Sequence, residues 1–414
     1  MKNRHFLLLA TLFLLLPDVC MAQYERRVAR RDFYDYFNNA NYDEALVPEY
    51  VLPDMMLCLD GTRVGDRQTW ESKRRPELLR LFTTYMYGRQ PLPDSTFSFE
   101  RRDADRIIMK GRAVRRDIML HLTGDGPDVL LTLVWTNDKA RKKGRSGGRG
   151  NAKSSRRKTI MGLSFIPNDS ILTLRADGTR PKGAEAWQVD SVLSHGYALA
   201  TFCYTDAEGD KARDHFRSSR LHRHFYSKGQ TYPLPDEWGA VACWAWTASR
   251  ALDALTAVAA DVVDINNVSI MGHSRLGKTA LWAGATDRRF AAVVSVNSGC
   301  CGAALSRRCV GETLECVNEW SHQWFCGNFR QYSHREEFLP FDQHELLALI
   351  APRPLIVISG TEDNWADPKG EGMSCKEARA AYRLYGCPEN IKYLLRQGPH
   401  AVLKEDWNYI LNEE

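Results

Sequence analysis

The sequence is poor in several features that would have pointed to other classes of protein. After the first two dozen residues it has no uninterrupted apolar run of transmembrane length, so a soluble chain with no membrane span is expected. It has no Cys-x-x-Cys spacing, and His344-Glu345 does not continue into His-Glu-x-x-His. Neither a zinc ribbon nor a zinc protease is indicated, and no metal or cofactor is expected. There is no internal repeat. The run Lys139–Lys158 lacks acids altogether, and subtracting its ten Lys and Arg from the formal +5 leaves −5 for the remainder. That run also lacks aromatic residues, which argues against a nucleic-acid partner. It reads as a solvated loop inserted over 139–158, in preference to a tether for a polyanion.

The N-terminus has the opposite character. Lys2 and Arg4 precede a short apolar run from Phe6 to Pro17, and Cys20-Met21-Ala22 ends in a small residue. This order predicts a signal peptide over 1–22 and a secreted or periplasmic protein. The apolar run is too short for a ~30 Å hydrocarbon core, which disfavours a retained anchor. Residues 23–414 suit a single large α/β domain, and 44% hydrophobic residues supply its core. Loss of Cys20 leaves ten of the eleven cysteines, several in apolar runs where Cys acts as a small hydrophobe; their spacing fixes no pairing.

Gln23 to Arg74 carries no readable motif. Helix spacing begins at Arg75–Tyr87, with Pro76 in a tolerated first turn. Strand-like runs follow at Ile118–Leu122, Val129–Trp135, Thr159–Ile166 and Tyr197–Tyr204. Trp238–Ala260 reads as a long buried helix, Val268–Met271 as a strand and Lys278–Ala285 as a helix. Ala291–Val296 and Pro354–Ser359 complete the strands. Near-continuous apolar strands alternating with helices imply a doubly wound, mostly parallel central sheet with helices on both faces.

Met271 ends a strand, and Gly272-His273-Ser274 turns straight into a helix. A serine at such a turn is raised above the sheet edge, next to the free N–H groups of a helix N-terminus. The match to Gly-x-Ser-x-Gly is imperfect, because Leu276 holds the last glycine position and Gly277 comes one later. The same residues fit a phosphate-binding loop, Gly272-x-x-x-x-Gly277-Lys278-Thr279. The leader and the lack of a nearby strand ending in a metal-binding Asp rank that nucleotide-binding alternative far behind. A nucleophilic serine needs a base and an acid to orient it, here in the order Ser, acid, His. Asp363 follows the strand Pro354–Ser359, and His400 lies in a turn near the C-terminus. Alone, each is more often a turn or solvated residue; their joint order gives Ser274, Asp363 and His400 as candidates. His215, His222 and His224 are expected at the surface.

Around Ser274 the chain resembles the glucuronoyl esterases, carbohydrate esterases of the α/β-hydrolase superfamily, and more specifically their bacterial members. The likeness runs through Gly272-His-Ser-Arg-Leu-Gly-Lys278, Ser298–Arg308, Trp324–Phe329, Leu339–Pro354 and Trp365–Glu371. It implies an α/β-hydrolase fold and cleavage of esters between (4-O-methyl-)glucuronic acid on xylan and lignin alcohols. It also implies Ser274 as nucleophile, His400 as base and Arg275 at the oxyanion. Lys278 and Glu312 would bind sugar hydroxyls, and Trp365 would cover the sugar. The chain departs from the family pattern at Asn297, where many members carry the catalytic Glu. The acid is therefore assigned to Asp363, in Asp363-Asn364-Trp365, with Asp367 as the lesser candidate. A broader carboxylesterase on other uronate or acyl esters, or an inactive carbohydrate-binding homologue, is the alternative.

Overall fold

A computed structural model describes residues 33–93, 95–139, 156–173, 181–211, 216 and 219–413. The leader predicted over 1–22, positions 140–155 of the basic run and His215 lie outside the described residues.

The strands are β1 (Ser98–Arg101), β2 (Arg106–Ile108), β3 (Ala113–His121), β4 (Asp128–Thr136), β5 (Arg157–Ser164), β6 (Ala198–Cys203), β7 (Val263–His273), β8 (Val293–Val296), β9 (Leu355–Gly360) and β10 (Ile391–Arg396). They form one mixed sheet in the order β1-β3-β4-β6-β5-β7-β8-β9-β10, with β2 on the same edge of β3 as β1. β1 to β4 pair antiparallel, as does β4 with β6, while β6 through β10 run parallel. β6, β8 and β9 are buried along their whole length, which explains their near-continuous apolar sequences.

Helices α1 (Phe33–Asn39), α2 (Arg75–Phe82), α3 (Val189–Ser194), α4 (Ala240–Val258), α5 (Arg275–Thr286), α6 (Leu314–Trp320), α7 (Gln343–Ala348), α8 (Pro368–Arg383) and α9 (Lys404–Glu413) surround the sheet. Along β9 the side chains alternate: Leu355 and Val357 enter one core with residues of α4, α5, α7 and α8. Ile356 and Ile358 enter a second core with Val189 and Val192 of α3 and Trp407 and Ile410 of α9. Period-two alternation thus places a helical layer on each face.

Two sequence expectations shift here. β7 starts at Val263, earlier than Val268, because Asp264–Asn267 extend the strand despite their polarity. The end of the basic run is strand rather than loop. Arg157 and Lys158 open β5, and the buried Arg157 guanidinium bonds the Asp138 carboxylate at 2.5 Å. No helix among the described residues is long and apolar enough to cross a membrane. All ten cysteines among the described residues are free and most are buried, as expected of small hydrophobes.

Candidate active site

The chain order reverses at β5, since β6 lies on one side of it and β7 on the other. In open α/β sheets the crevice above the carboxyl ends of the strands at such a point collects ligands. β7 ends at the turn carrying Ser274, β8 at Asn297-Ser298-Gly299, β9 before Asp363 and β10 before His400. Ser274, Arg275, Lys278, Glu312, Asp363, Trp365 and His400 all line one cavity of about 680 Å³.

Ser274 sits at φ 58°, a conformation an L-residue holds only under constraint. Its amide donates to the Val296 carbonyl at 2.8 Å, which ties the turn to β8. A Cβ on Gly272 would lie 1.9 Å from the Leu276 carbonyl oxygen, so no side chain fits there. A Cβ on Gly277 would lie 3.0 Å from the Ser298 Cβ, so the helix meets β8's turn at position 277 rather than 276. The shifted glycine that made the motif imperfect is therefore the one the packing requires.

His400 Nδ1 lies 2.6 Å from Asp363 Oδ2. A carboxylate only accepts, so Nδ1 carries the proton of this bond, and in the neutral ring Nε2 is the nitrogen with the lone pair. The same Oδ2 accepts from Asn297 Nδ2 at 2.7 Å, while Asn297 Oδ1 accepts from Arg396 at 3.3 Å. Arg396 in turn bonds Asp406 at 2.8 Å and the Pro399 carbonyl at 3.1 Å, holding the His400 turn. Asn297 thus serves Asp363 as a donor. A second carboxylate at 297 would instead press its charge on Asp363. Asp367, the lesser candidate acid, is occupied elsewhere: it caps α8 through Gly370 N at 3.0 Å and pairs with Arg308 at 2.8 Å.

Arg275 is held by the Asp210 carboxylate and lies over the Trp324 ring, 4.9 Å from its centroid. Its Nε is buried and has no hydrogen-bond partner. Burial works against the Arg275 charge, but Asp210 outweighs it and the pKa rises. Asp210 also accepts from Tyr204 at 2.8 Å, Gln323 at 2.9 Å and Trp324 at 2.7 Å. Burial alone would lift its carboxyl, yet Arg275 and these donors hold it below the usual range. Lys278 Nζ lies 2.8 Å from the Ser298 carbonyl and 3.1 Å from Glu312, which overcomes burial and raises the ammonium pKa. A lysine paired in this way faces a carboxylate, and the phosphate-loop alternative fails at its key contact.

His273 stands against His400, ring centroids 4.6 Å apart. Burial, then the neighbouring His400, pushes its pKa down to about 3, so it stays neutral beside that ring. His222, expected at the surface, is wholly buried, with Nδ1 3.0 Å from Glu208 and Nε2 2.7 Å from the Trp238 carbonyl. Glu208, His222 and Cys243 are the one group among the described residues close enough for a metal. Both His222 nitrogens already lie against acceptors of the fold, Glu208 and the Trp238 carbonyl, so the group forms a buried polar network.

Sequence reasoning missed Asp210, Gln323 and the N-terminal helix. Asp210 lies shortly after β6, and that position at a parallel-strand end was its only signal. Phe33 and Phe37 of α1 pack on Trp365 with centroids 5.5 and 5.3 Å apart, and with Tyr42 they line the cavity. Nothing in Gln23–Arg74 announced that role.

A carbohydrate esterase of unknown prokaryotic origin is 37% identical over 91% of this chain and 92% of its own. The glucuronoyl esterase of Solibacter usitatus superposes with a TM-score of 0.78 at 34% identity, covering 89% of this chain and 98% of that one. This chain belongs to the glucuronoyl esterase family. The esterase is accordingly a carboxylic ester hydrolase of the α/β-hydrolase fold. A family model for fungal glucuronyl esterases matches residues 183–386, the segment that carries the elbow, Glu312 and Asp363. A 4-O-methyl-glucuronoyl methylesterase of Cerrena unicolor is 32% identical over 86% of this chain and 67% of its own.

Proposed function

We propose that this esterase hydrolyses esters of glucuronic acid, including the 4-O-methyl form, as in links between xylan and lignin alcohols, through an acyl-enzyme on Ser274. The reading rests on one observation above the others. The His400–Asp363 pair shares a cavity with Ser274 and with the buried Lys278–Glu312 pair, so an ester-cleaving group and a hydroxyl-binding group face the same space. The family relatives named for glucuronoyl esters support the substrate class.

In the first step His400 Nε2 takes the proton of Ser274 Oγ as the oxygen attacks the uronate carbonyl. The Asp363 carboxylate stabilises the imidazolium so formed. The carbonyl oxygen becomes an anion, and the Arg275 backbone N–H at the start of α5, with the guanidinium charge nearby, stabilises it. One such donor typically lowers the barrier by ~2.7–4 kcal/mol. His400 then passes its proton to the departing alcohol oxygen. Water repeats the cycle on the acyl-enzyme, releasing the uronic acid and restoring Ser274. Throughout, Lys278 donates to and Glu312 accepts from sugar hydroxyls, while Trp365 covers the ring.

Purified enzyme is expected to cleave benzyl glucuronate, and Ser274→Ala to abolish that cleavage. Faster turnover of simple acetyl esters than of glucuronate esters would move the assignment to a broader carboxylesterase. Binding of glucuronate esters without turnover would make the chain a carbohydrate-binding homologue. We also propose that residues 1–22 are a leader and that the mature domain acts outside the cytoplasm; N-terminal sequencing of exported protein starting at Gln23 is the expected outcome.

A further inference from the structure

The three residues that follow β8 serve the cavity in two directions. Asn297 turns toward Asp363 and Arg396, and its amide donates to the Ile358 carbonyl at 2.7 Å. Ser298 and Gly299 serve the other side. The Ser298 carbonyl accepts from Lys278, whose ammonium also meets Glu312. A Cβ on Gly299 would lie 3.0 Å from the Ala366 Cα, so this turn packs against the segment that carries Trp365. That segment in turn accepts the Glu312 amide through the Trp365 carbonyl at 2.9 Å. Lys278, Glu312 and Trp365 therefore rest on one block with the Ser298–Gly299 turn at its centre.

The turn belongs to no strand or helix, and Asn297 and Gly299 both hold positive φ, 48° and 60°. Glu371, in the first turn of α8, is what pins it. One carboxyl oxygen accepts from the Ser298 hydroxyl at 3.0 Å and from the Gly299 amide at 2.9 Å. The other pairs with the Ser359 hydroxyl in β9. The Ser298 hydroxyl also accepts from the Ala303 amide at 2.9 Å. Glu371 is wholly buried, and a carboxyl is costly to bury unless donors such as these satisfy it. It is not itself part of the cavity wall.

We propose that Glu371 is the positioning residue for the sugar-binding half of the site. It fixes the Ser298–Gly299 turn, and through that turn Lys278, Glu312 and Trp365, without touching substrate. The inference rests on the glucuronate-ester reading above, which gives those three residues their ligand. Because Asn297 has its own anchors, loss of Glu371 should weaken binding of a hydroxyl-bearing acyl group and spare the chemistry at Ser274.

The experiment compares wild type, Glu371→Ala, Glu371→Gln and Ser298→Ala on benzyl glucuronate and on 4-nitrophenyl acetate, whose acyl group carries no hydroxyl. Glu371→Ala is expected to raise KM for benzyl glucuronate about tenfold with kcat within about threefold, and to keep kcat/KM on the acetate within about threefold. Glu371→Gln retains an oxygen for the Ser298 and Gly299 donors and offers Ser359 an N–H, so its KM should return close to wild type. Ser298→Ala cuts the same link from the other end and should raise KM about threefold, which keeps the test open if Glu371→Ala does not fold. Calorimetry with glucuronic acid reads binding without catalysis. Affinity that falls in Glu371→Ala and recovers in Glu371→Gln supports the proposal even if no ester is cleaved, an outcome that would sink the ester reading alone. An unchanged KM, a parallel loss of kcat on both esters, or no affinity of wild type for glucuronic acid overturns it.

Discussion

Asn297 occupies the position at which the resemblance leads one to expect a glutamate, and its surroundings explain how a neutral amide works there. Asp363 already supplies the carboxylate to His400, and Asn297 donates to the same oxygen. Asp363→Asn is expected to lower kcat by about three orders of magnitude or more, because the amide removes the charge that stabilises the imidazolium. Asn297→Asp would set a second carboxylate against the first and raise the pKa of the pair. The acid limb of the pH–rate profile should then move to higher pH, and an unmoved limb would mean that the two groups do not couple. Asp210→Ala leaves the Arg275 guanidinium without its carboxylate partner. A loss of about ten- to hundredfold in kcat/KM is expected, with Asp210→Asn intermediate because it keeps an acceptor for one donor. At this scale the sequence singled out Ser274 and His400 by residue type, and the structure brings both to one cavity. Asp210 was not legible, since a carboxylate becomes a positioning group only through what the fold brings beside it.

The element that sets the geometry is the turn from β7 into α5. Gly272→Ala would drive a methyl group into the Leu276 carbonyl at 1.9 Å, a backbone atom that cannot move without unwinding the first turn of α5. Loss of soluble protein, or a destabilisation beyond about 3 kcal/mol in chemical denaturation, is expected. Gly277→Ala meets Ser298 and Ser295 at 3.0 and 3.1 Å, side-chain atoms with some freedom, and should cost clearly less. Equal losses from the two substitutions would mean that the contacts at the turn do not set its shape. The buried strands and α4 were legible because their composition is nearly uniform in apolar residues. Helix α1 was not: it is seven residues long with one buried residue, and its aromatic side chains gain their meaning only against Trp365.

Across the whole molecule, buried ionisable groups pull stability in opposite directions with pH. Burial would raise the Glu208 carboxyl, but His222 and the amides of His222 and Leu221 outweigh it and hold the pKa at about 2. Its contribution is present above the ordinary value of 4.5 and is lost as pH falls toward 2. His273, held at about 3, likewise favours the folded state above its ordinary 6.5 and loses that contribution as pH falls. Glu371 behaves oppositely. It is wholly buried behind the site, bonded to Ser298 at 3.0 Å and to the Gly299 amide at 2.9 Å, and burial raises its pKa to about 7. The folded state holds that proton more tightly, so stability declines as pH rises from about 4.5 through 7. Thermal melts of Glu371→Gln are expected to lose this decline while keeping the acid-side loss; a decline unchanged from wild type would place its origin elsewhere. The sequence by itself determined the family and the layered α/β plan, because apolar patterning and motif residues are local properties. Only the tertiary structure decided that Asn297 is a donor to Asp363, that Asp210 holds Arg275, and that an N-terminal helix walls the cavity. Those roles arise from contacts between residues some 65 to more than 300 positions apart, which no local pattern encodes.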